Sequence, residues 1–249
     1  LLHTLDEGGT LVDSAPNSVI AATIALPELT QFIRGSIWAR DLDAGQIARA
    51  RSETVERAFP EGGHVCRRGE PVEYWLGVID GLVKISSLSP QGKSVTFTGV
   101  PPGGWFGEGS LLKTDPWKYD AVALRPSRIA CVPRATFAWL LDSSLAFNRF
   151  LLEQLNERLG QFIAMIEYDR LLAPESRIAR CLAMLFNPHL YPGVERRLQL
   201  SQEEIGYFSG ISRQRANQAL RVLEAARLLR LEYGGVTVLD VEGLRRYGT

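Results

Sequence analysis

From Leu145 to Arg170 the chain contains no Pro and a single Gly, Gly160. Within that stretch Leu152, Leu155, Leu159, Phe162 and Ile166 recur at steps of 3, 4, 3 and 4. This is the spacing of an a/d seam, and it is narrower than the apolar face of a helix buried within one subunit. A long helix with one apolar seam needs a second surface to cover it. The length and narrowness favour the same helix of a second chain, hence a homodimeric coiled coil, over a helix buried within one subunit.

The sequence on either side has a different texture. From Phe59 onward Gly and Pro punctuate short alternating or apolar runs: "FPEGGHVCRRGEP", "YWLGVIDGLVKISSL", "SVTFTGV", "WFGEGSLL" and "DAVALRPSRIACVP". Many short strands at regular spacing predict a small antiparallel sandwich or barrel. Asp80-Gly81 reads as a hairpin turn, and Pro90-Gln91-Gly92-Lys93 as another turn. Upstream, Leu29, Phe32, Ile33, Ile37, Ile47 and Val55 show a weak helical period, and residues 1–26 read as a loose arm. Downstream, Ala173-Pro174-Glu175-Ser176 breaks the long helix and starts another that runs to Phe186.

The last part of the chain carries the clearest chemistry. Ser201 through Glu204 reads as a capping box that opens a short helix ending at Ser209-Gly210. Ser212 caps the next helix, which runs to about Arg227. Helix, turn and helix make a helix-turn-helix, with Ile205, Ile211, Ala216, Ala219 and Leu220 filling the contact and Gly206 small at the crossing. "LLRLEYGGVTVLD" then reads as two short strands around Tyr233-Gly234-Gly235, a hairpin wing. The second helix gathers Arg213, Gln214, Asn217 and Gln218 near its N-terminus, the end from which recognition helices read the major groove. Arg matches guanine bidentately, and Asn and Gln match adenine. Ser212 and the free amides at the helix start suit a phosphate, as do Arg215 and Arg221. A helical hairpin with a polar face is the rival. The capping box, the placed glycine and the wing together favour double-stranded DNA as partner.

Charge agrees. Residues 170–249 hold 12 Arg, no Lys and 8 acidic residues, a net +4, against −4 for residues 1–169 with 16 basic and 20 acidic. A basic, arginine-only tail suits a polyanion. Cys66, Cys131 and Cys181 are far apart and odd in number, so we expect neither disulfides nor a zinc site, and a reducing cytoplasm. His64 and Cys66 could share one strand face, but two ligands alone do not make a metal site, and none is expected. No apolar run reaches the length of a membrane span; Val19 to Leu26 is too short. The chain starts at Leu1 rather than Met, so we expect a trimmed start.

A strand-rich roll, a long dimer helix and a winged helix-turn-helix, in that order, resemble the cyclic AMP receptor protein/FNR family of bacterial transcription regulators. The resemblance covers roughly Phe59 to Thr249 and rests on "FPEGGHVCRRGEP", "GGWFGEGSLL" and "LSQEEIGYFSGISRQRANQALRVLE" taken together. It implies an α+β fold: an arm and helices over 1–50, an antiparallel β-roll like a cyclic-nucleotide-binding jelly roll over 51–142, a dimerisation helix over 143–171 and a winged helix-turn-helix over 172–249. It also implies a homodimer on an inverted repeat, RNA polymerase as a partner, and regulation by an effector held in the roll.

Family members that bind cyclic AMP carry Gly-Glu and, a short way downstream, Arg-Ser-Ala, with Arg and Ser on the cyclic phosphate and Glu on the ribose. Here Gly107-Glu108 is present, but the second element is Tyr119-Asp120-Ala121. Asp120 would repel a phosphate and Tyr119 brings no charge, while neighbouring Lys118 compensates only in part. The hydroxyl pair that caps adenine on the dimer helix is replaced by Phe162-Ile163. We therefore expect Gly107 and Glu108 to serve as a structural turn and the effector not to be cyclic AMP. Three isolated Cys cannot hold an iron–sulfur cluster, and nothing singles out a haem ligand. Two rivals differ in class: a ligand-sensing roll whose main output is protein contact, and an enzyme. No G-x-S-x-G, H-E-x-x-H, Walker or Rossmann pattern occurs, and the Gly-rich "PPGGWFGEGS" precedes no clear helix.

Overall fold

The computed structural model describes residues 29–89 and 94–248, so the expected arm over 1–26 and the turn at 90–93 lie outside the described residues. The chain opens with α1 (Leu29–Gly35), a 3₁₀ turn (Ile37–Ala39) and α2 (Ala44–Glu53). Asp43 caps α2 with a reciprocal capping box to Gln46. Strands β1 (Val55–Phe59), β2 (His64–Cys66), β3 (Tyr74–Asp80), β4 (Val83–Leu88), β5 (Ser94–Val100) and β6 (Trp105–Phe106) follow, then α3 (Glu108–Lys113), β7 (Asp120–Ala123), β8 (Ser127–Pro133) and α4 (Arg134–Ser143).

The strands form two antiparallel four-stranded sheets, ordered β1-β8-β3-β6 and β2-β7-β4-β5. Asp80-Gly81 is therefore not a hairpin turn. Both edges of β3 are taken by β8 and β6, and both edges of β4 by β7 and β5, so the glycine carries the chain from one sheet to the other. Strands β4 and β5 are the true hairpin, with Leu88 opposite Ser94 across residues 90–93. The core between the sheets is aromatic. Trp38, Trp75, Trp105, Phe137 and Phe147 are buried, with the Trp75 and Trp105 rings 4.3 Å apart. Ile33 and Trp38 join this core, so the helices before β1 belong to the roll's packing.

Helix α5 (Leu145–Leu171) runs 27 residues and is capped by Ser144. Phe147, Phe150 and Leu151 bury its first turns in the roll core. Past them Leu152, Leu159, Phe162, Ile163 and Ile166 stand exposed, and Leu155 is half-buried. After Leu172-Ala173 comes α6 (Pro174–Met184), with Pro174 at its first turn. Then follow β9 (Arg197–Leu198), α7 (Gln202–Ser209), α8 (Arg213–Ala225), β10 (Leu229–Glu232), β11 (Gly235–Val238) and α9 (Val241–Arg246). Ile178, Leu182, Ile205, Leu220, Leu223 and Val236 make a second core here, which Leu82 of the roll enters.

Candidate nucleic-acid interface and effector region

Local chemistry sets up the pair α7 and α8. Ser201 accepts from the Glu204 amide at 3.2 Å, and Glu204 accepts from the Ser201 amide at 2.6 Å. Gly210 ends α7 at φ 61°, a left-handed conformation in which a side chain would be strained. Ser212 then caps α8 by accepting from the Arg215 amide at 3.4 Å. Ala216, Ala219, Leu220 and Leu223 are buried, which turns the other face outward.

That outward face presents Arg213, Gln214, Arg215, Gln218 and Arg221, all exposed, as is Ser212. Asn217 differs from expectation. It is half-buried, and its amide donates to Gln202 Oε1 at 2.6 Å, so it braces α8 against α7. Its spacing placed it with the reading face, but the start of α7 passes close enough to take it. Beside α8, β10 and β11 pair from Leu229–Val238 to Glu232–Gly235, and β9 adds a third strand through Thr237–Arg197. Glu232 accepts from Thr237 and Arg230, and these bonds hold its carboxyl below the usual range. Tyr233 stands fully exposed at the tip of the wing.

The effector region is organised around Glu108 by Arg158, a residue the sequence did not single out. Gly107 has φ 100°, and a Cβ there would fall 2.6 Å from the Trp117 ring. Its geometry starts α3 directly after the Gly-rich run, where the sequence showed no clear helix. Glu108 follows, only 2% exposed. Arg158 of α5 donates to Glu108 Oε1 at 2.6 Å and also to the Trp105 carbonyl, which accepts from Gln154 as well. Burial pulls the Arg158 guanidinium down, but the Glu108 charge, Tyr191 and the hydrogen bond to Glu108 outweigh it and hold it above its ordinary range.

Tyr119 packs beside this pair, and burial, then the Glu108 charge, push its phenol up. The other candidates lie elsewhere. Lys118 pairs with Asp115 at 3.2 Å and faces solvent. Asp120 accepts from the Arg68 amide at 3.0 Å. Phe162 and Ile163 stand exposed on α5, and it is Gln161 that reaches inward, donating to Tyr191 at 3.2 Å. Thus Gly107, Glu108 and Tyr119 come together, whereas Lys118, Asp120, Phe162 and Ile163 do not join them. The missed signal was a second stripe on α5: Leu151, Gln154, Arg158 and Gln161, at steps of 3, 4 and 3, carries long polar side chains toward the roll.

His64 and Cys66 do not share a face either. A β-bulge shifts the register between them, leaving His64 exposed and Cys66 buried. Among the described residues no three His, Cys, Asp or Glu side chains gather as metal ligands. Among them, too, no helix is long and apolar enough to cross a membrane.

The helix-turn-helix packs directly on the roll. Arg125 donates to Glu204 at 2.6 Å, Lys84 lies 4.8 Å from the Tyr207 ring centroid, and the Phe208 ring abuts Gly99 of β5.

Comparison with known proteins agrees with this architecture. Residues 56–144 match the cyclic nucleotide-binding domain, and residues 176–247 match the Crp-like helix-turn-helix domain. The chain is 29% identical over 212 residues to a CRP-like cAMP-activated global transcriptional regulator of Mycobacterium tuberculosis, covering 82% of this chain and 93% of that one. It is 26% identical over 188 residues to the global nitrogen regulator of Synechococcus elongatus, covering 73% and 84%. The solved structure of FixK2 from Bradyrhizobium japonicum superposes with a TM-score of 0.67 at 19% identity, over 79% of this chain and 98% of that one. With a β-roll, a long helix and a winged helix-turn-helix in the family's order, the chain belongs to the Crp/FNR family of bacterial transcription regulators.

Proposed function

We propose that this Crp/FNR regulator acts as a homodimer that reads an inverted repeat in double-stranded DNA and is not switched by cyclic AMP. The observation that carries the DNA reading is the exposed cluster Arg213, Gln214, Gln218 and Arg221 on the face of α8 opposite its buried one. Ser212 and the first amides of α8, with Arg215, supply phosphate contacts. The dimer rests on Leu152, Leu159, Phe162, Ile163 and Ile166, a row of exposed apolar side chains along one helix. RNA polymerase is the protein partner of this reading, the cytoplasm is its place, and the reading needs no turnover.

The effector reading rests on electrostatics. A cyclic phosphate needs a cation free to meet it, and here Arg158 is engaged by Glu108 while Lys118 is paired with Asp115. A relative's response to cyclic AMP therefore does not carry over, and the effector of this chain is a different ligand. Selection from random duplexes should enrich an imperfect inverted repeat with half-sites roughly 10 bp apart, because twofold-related helices enter successive major grooves. Calorimetry with cyclic AMP should show no binding at sub-millimolar concentration. Enrichment of no motif would defeat the DNA reading, and micromolar cyclic AMP affinity would defeat the effector reading.

A further inference from the structure

Pro101-Pro102-Gly103-Gly104 of the roll lies against Tyr191-Pro192-Gly193, part of the loop that joins α6 to β9. The two backbones meet closely. A Cβ at Gly103 would fall 3.3 Å from the Gly193 amide, and a Cβ at Gly193 would fall 3.2 Å from the Pro102 carbonyl. Gly103 also has φ 86°, where a side chain would be strained. Glycines on both sides thus let a loop of the DNA-binding part press onto the roll.

The loop is shaped for this seat. Asn187 Oδ1 accepts from the His189 and Leu190 amides, both at 2.9 Å, and the Asn187 side-chain amide donates to Glu157 of α5 at 2.6 Å. The His189 ring stacks on Phe150 of α5 with centroids 5.3 Å apart. Leu190 and Tyr191 then turn inward and are 1% and 2% exposed. At the bottom of the seat the Tyr191 hydroxyl lies 3.1 Å from the Thr98 hydroxyl of β5 and accepts from Gln161 Nε2 of α5 at 3.2 Å. Thr98 and Gln161 are buried as well. Roll, long helix and DNA-binding part therefore share one buried hydrogen-bonded cluster. A Phe at 191 would fill the same space. The hydroxyl adds uniqueness, because a shift of the loop would strand three buried polar side chains.

We infer that Tyr191 is a positioning residue for DNA recognition. It fixes the helix-turn-helix against both the long helix and the roll, and so sets the distance and angle between the two recognition helices of a dimer. The inference rests on the homodimer and DNA readings proposed above. The covalent joint does not hold such an angle, since Leu172 and Ala173 are extended between α5 and α6, with ψ 143° and 156°. Arg125–Glu204 and Lys84–Tyr207 tie α7 to the roll, and the Tyr191 cluster adds the long helix to that tie. With the loop seated, Arg213, Gln214, Gln218 and Arg221 stand exposed. The seat leaves the reading face open, so it acts as a brace and not as a block.

The test is titration of the full chain, by fluorescence anisotropy, against three duplexes. They are the enriched inverted repeat, the same repeat lengthened by one base pair between its half-sites, and a single half-site. The extra base pair turns one half-site by about a tenth of a helical turn. Tyr191→Phe and Thr98→Val keep the volume and each remove one hydroxyl. Each should weaken binding of the enriched repeat roughly tenfold, because the braced arrangement becomes a smaller fraction of the population. Each should lose less than the unaltered chain does when the repeat is lengthened. Each should bind the half-site as the unaltered chain does, since one helix in one groove needs no spacing. Thr98→Ser keeps the hydroxyl and should behave like the unaltered chain. Full binding of the enriched repeat by Tyr191→Phe and Thr98→Val overturns the inference. So does an equal loss on the repeat and on the half-site, which is the mark of a fold weakened as a whole. Enrichment of no repeat by the unaltered chain would defeat the DNA reading, and the inference with it.

Discussion

Arg158 and Glu108 lie 50 residues apart in the chain and form a buried ion pair, Nε to Oε1 at 2.6 Å, with side-chain exposures of 12% and 3%. The pair fastens the long helix to the short helix at the mouth of the roll. Removing one partner of such a pair strands the other charge, which is worse than removing both. Arg158→Ala should therefore lose about 3–5 kcal/mol in urea unfolding. Arg158→Met combined with Glu108→Gln should recover most of that loss. A midpoint unchanged by Arg158→Ala would mean that water reaches Glu108.

The seam makes its own prediction. Leu159 is 59% exposed in the single chain, mid-way along the apolar row. Leu159→Glu would set two like charges in a dry interface at a cost of about 3 kcal/mol or more. Sedimentation should then show a monomer with unchanged helix content. Retention of a dimer would place the subunit contact elsewhere.

On α8 the exposed residues should separate by role. Arg213→Ala should cost about 1–3 kcal/mol per half-site and relax preference at one symmetric position. Gln218→Ala should relax a different one. Arg221→Ala should weaken all sequences alike and flatten the salt dependence, as loss of a phosphate contact does. Asn217→Ala should chiefly lower stability, because its amide is engaged by Gln202. Titrations of the selected and a scrambled duplex at two salt concentrations distinguish these outcomes.

The thiols give a pH dependence. Burial pushes Cys66 up to about 12 and Cys131 up to about 11. A folded value above the unfolded one means that the native state holds the proton longer. The resulting stability is complete below about pH 9, the ordinary thiol value, and is lost as pH rises toward about 12. Near pH 8 iodoacetamide should label Cys66 and Cys131 only after unfolding, as mass spectrometry of the peptides would show. Fast labelling of the native chain would mean that these sites open locally.

How much was legible beforehand follows from the range of each interaction. The capping box at Ser201 and Glu204, the left-handed Gly210, the Ser212 cap and the wing turn all close within a few residues, so residue type and spacing specify them. The exposed row on α5 was legible for the same reason, since helical period alone decides which residues share a face. Other features depend on which distant elements meet. Asp80-Gly81 looks like a hairpin locally, but β3 pairs with β8 and β6, and β4 pairs with β7 and with β5, the strand that follows it. Asn217 looks free until α7 brings Gln202 beside it. Arg158 looks like one more surface charge until packing of the roll sets Glu108 and the Trp105 carbonyl against it. The sequence by itself determined the long helix, the helix-turn-helix with its caps and the order of the parts, because those arise from short-range hydrogen bonds and apolar period. Only the tertiary structure decided the sheet pairing and the partner of each buried charge, because each needs groups far apart in sequence to share one desolvated place.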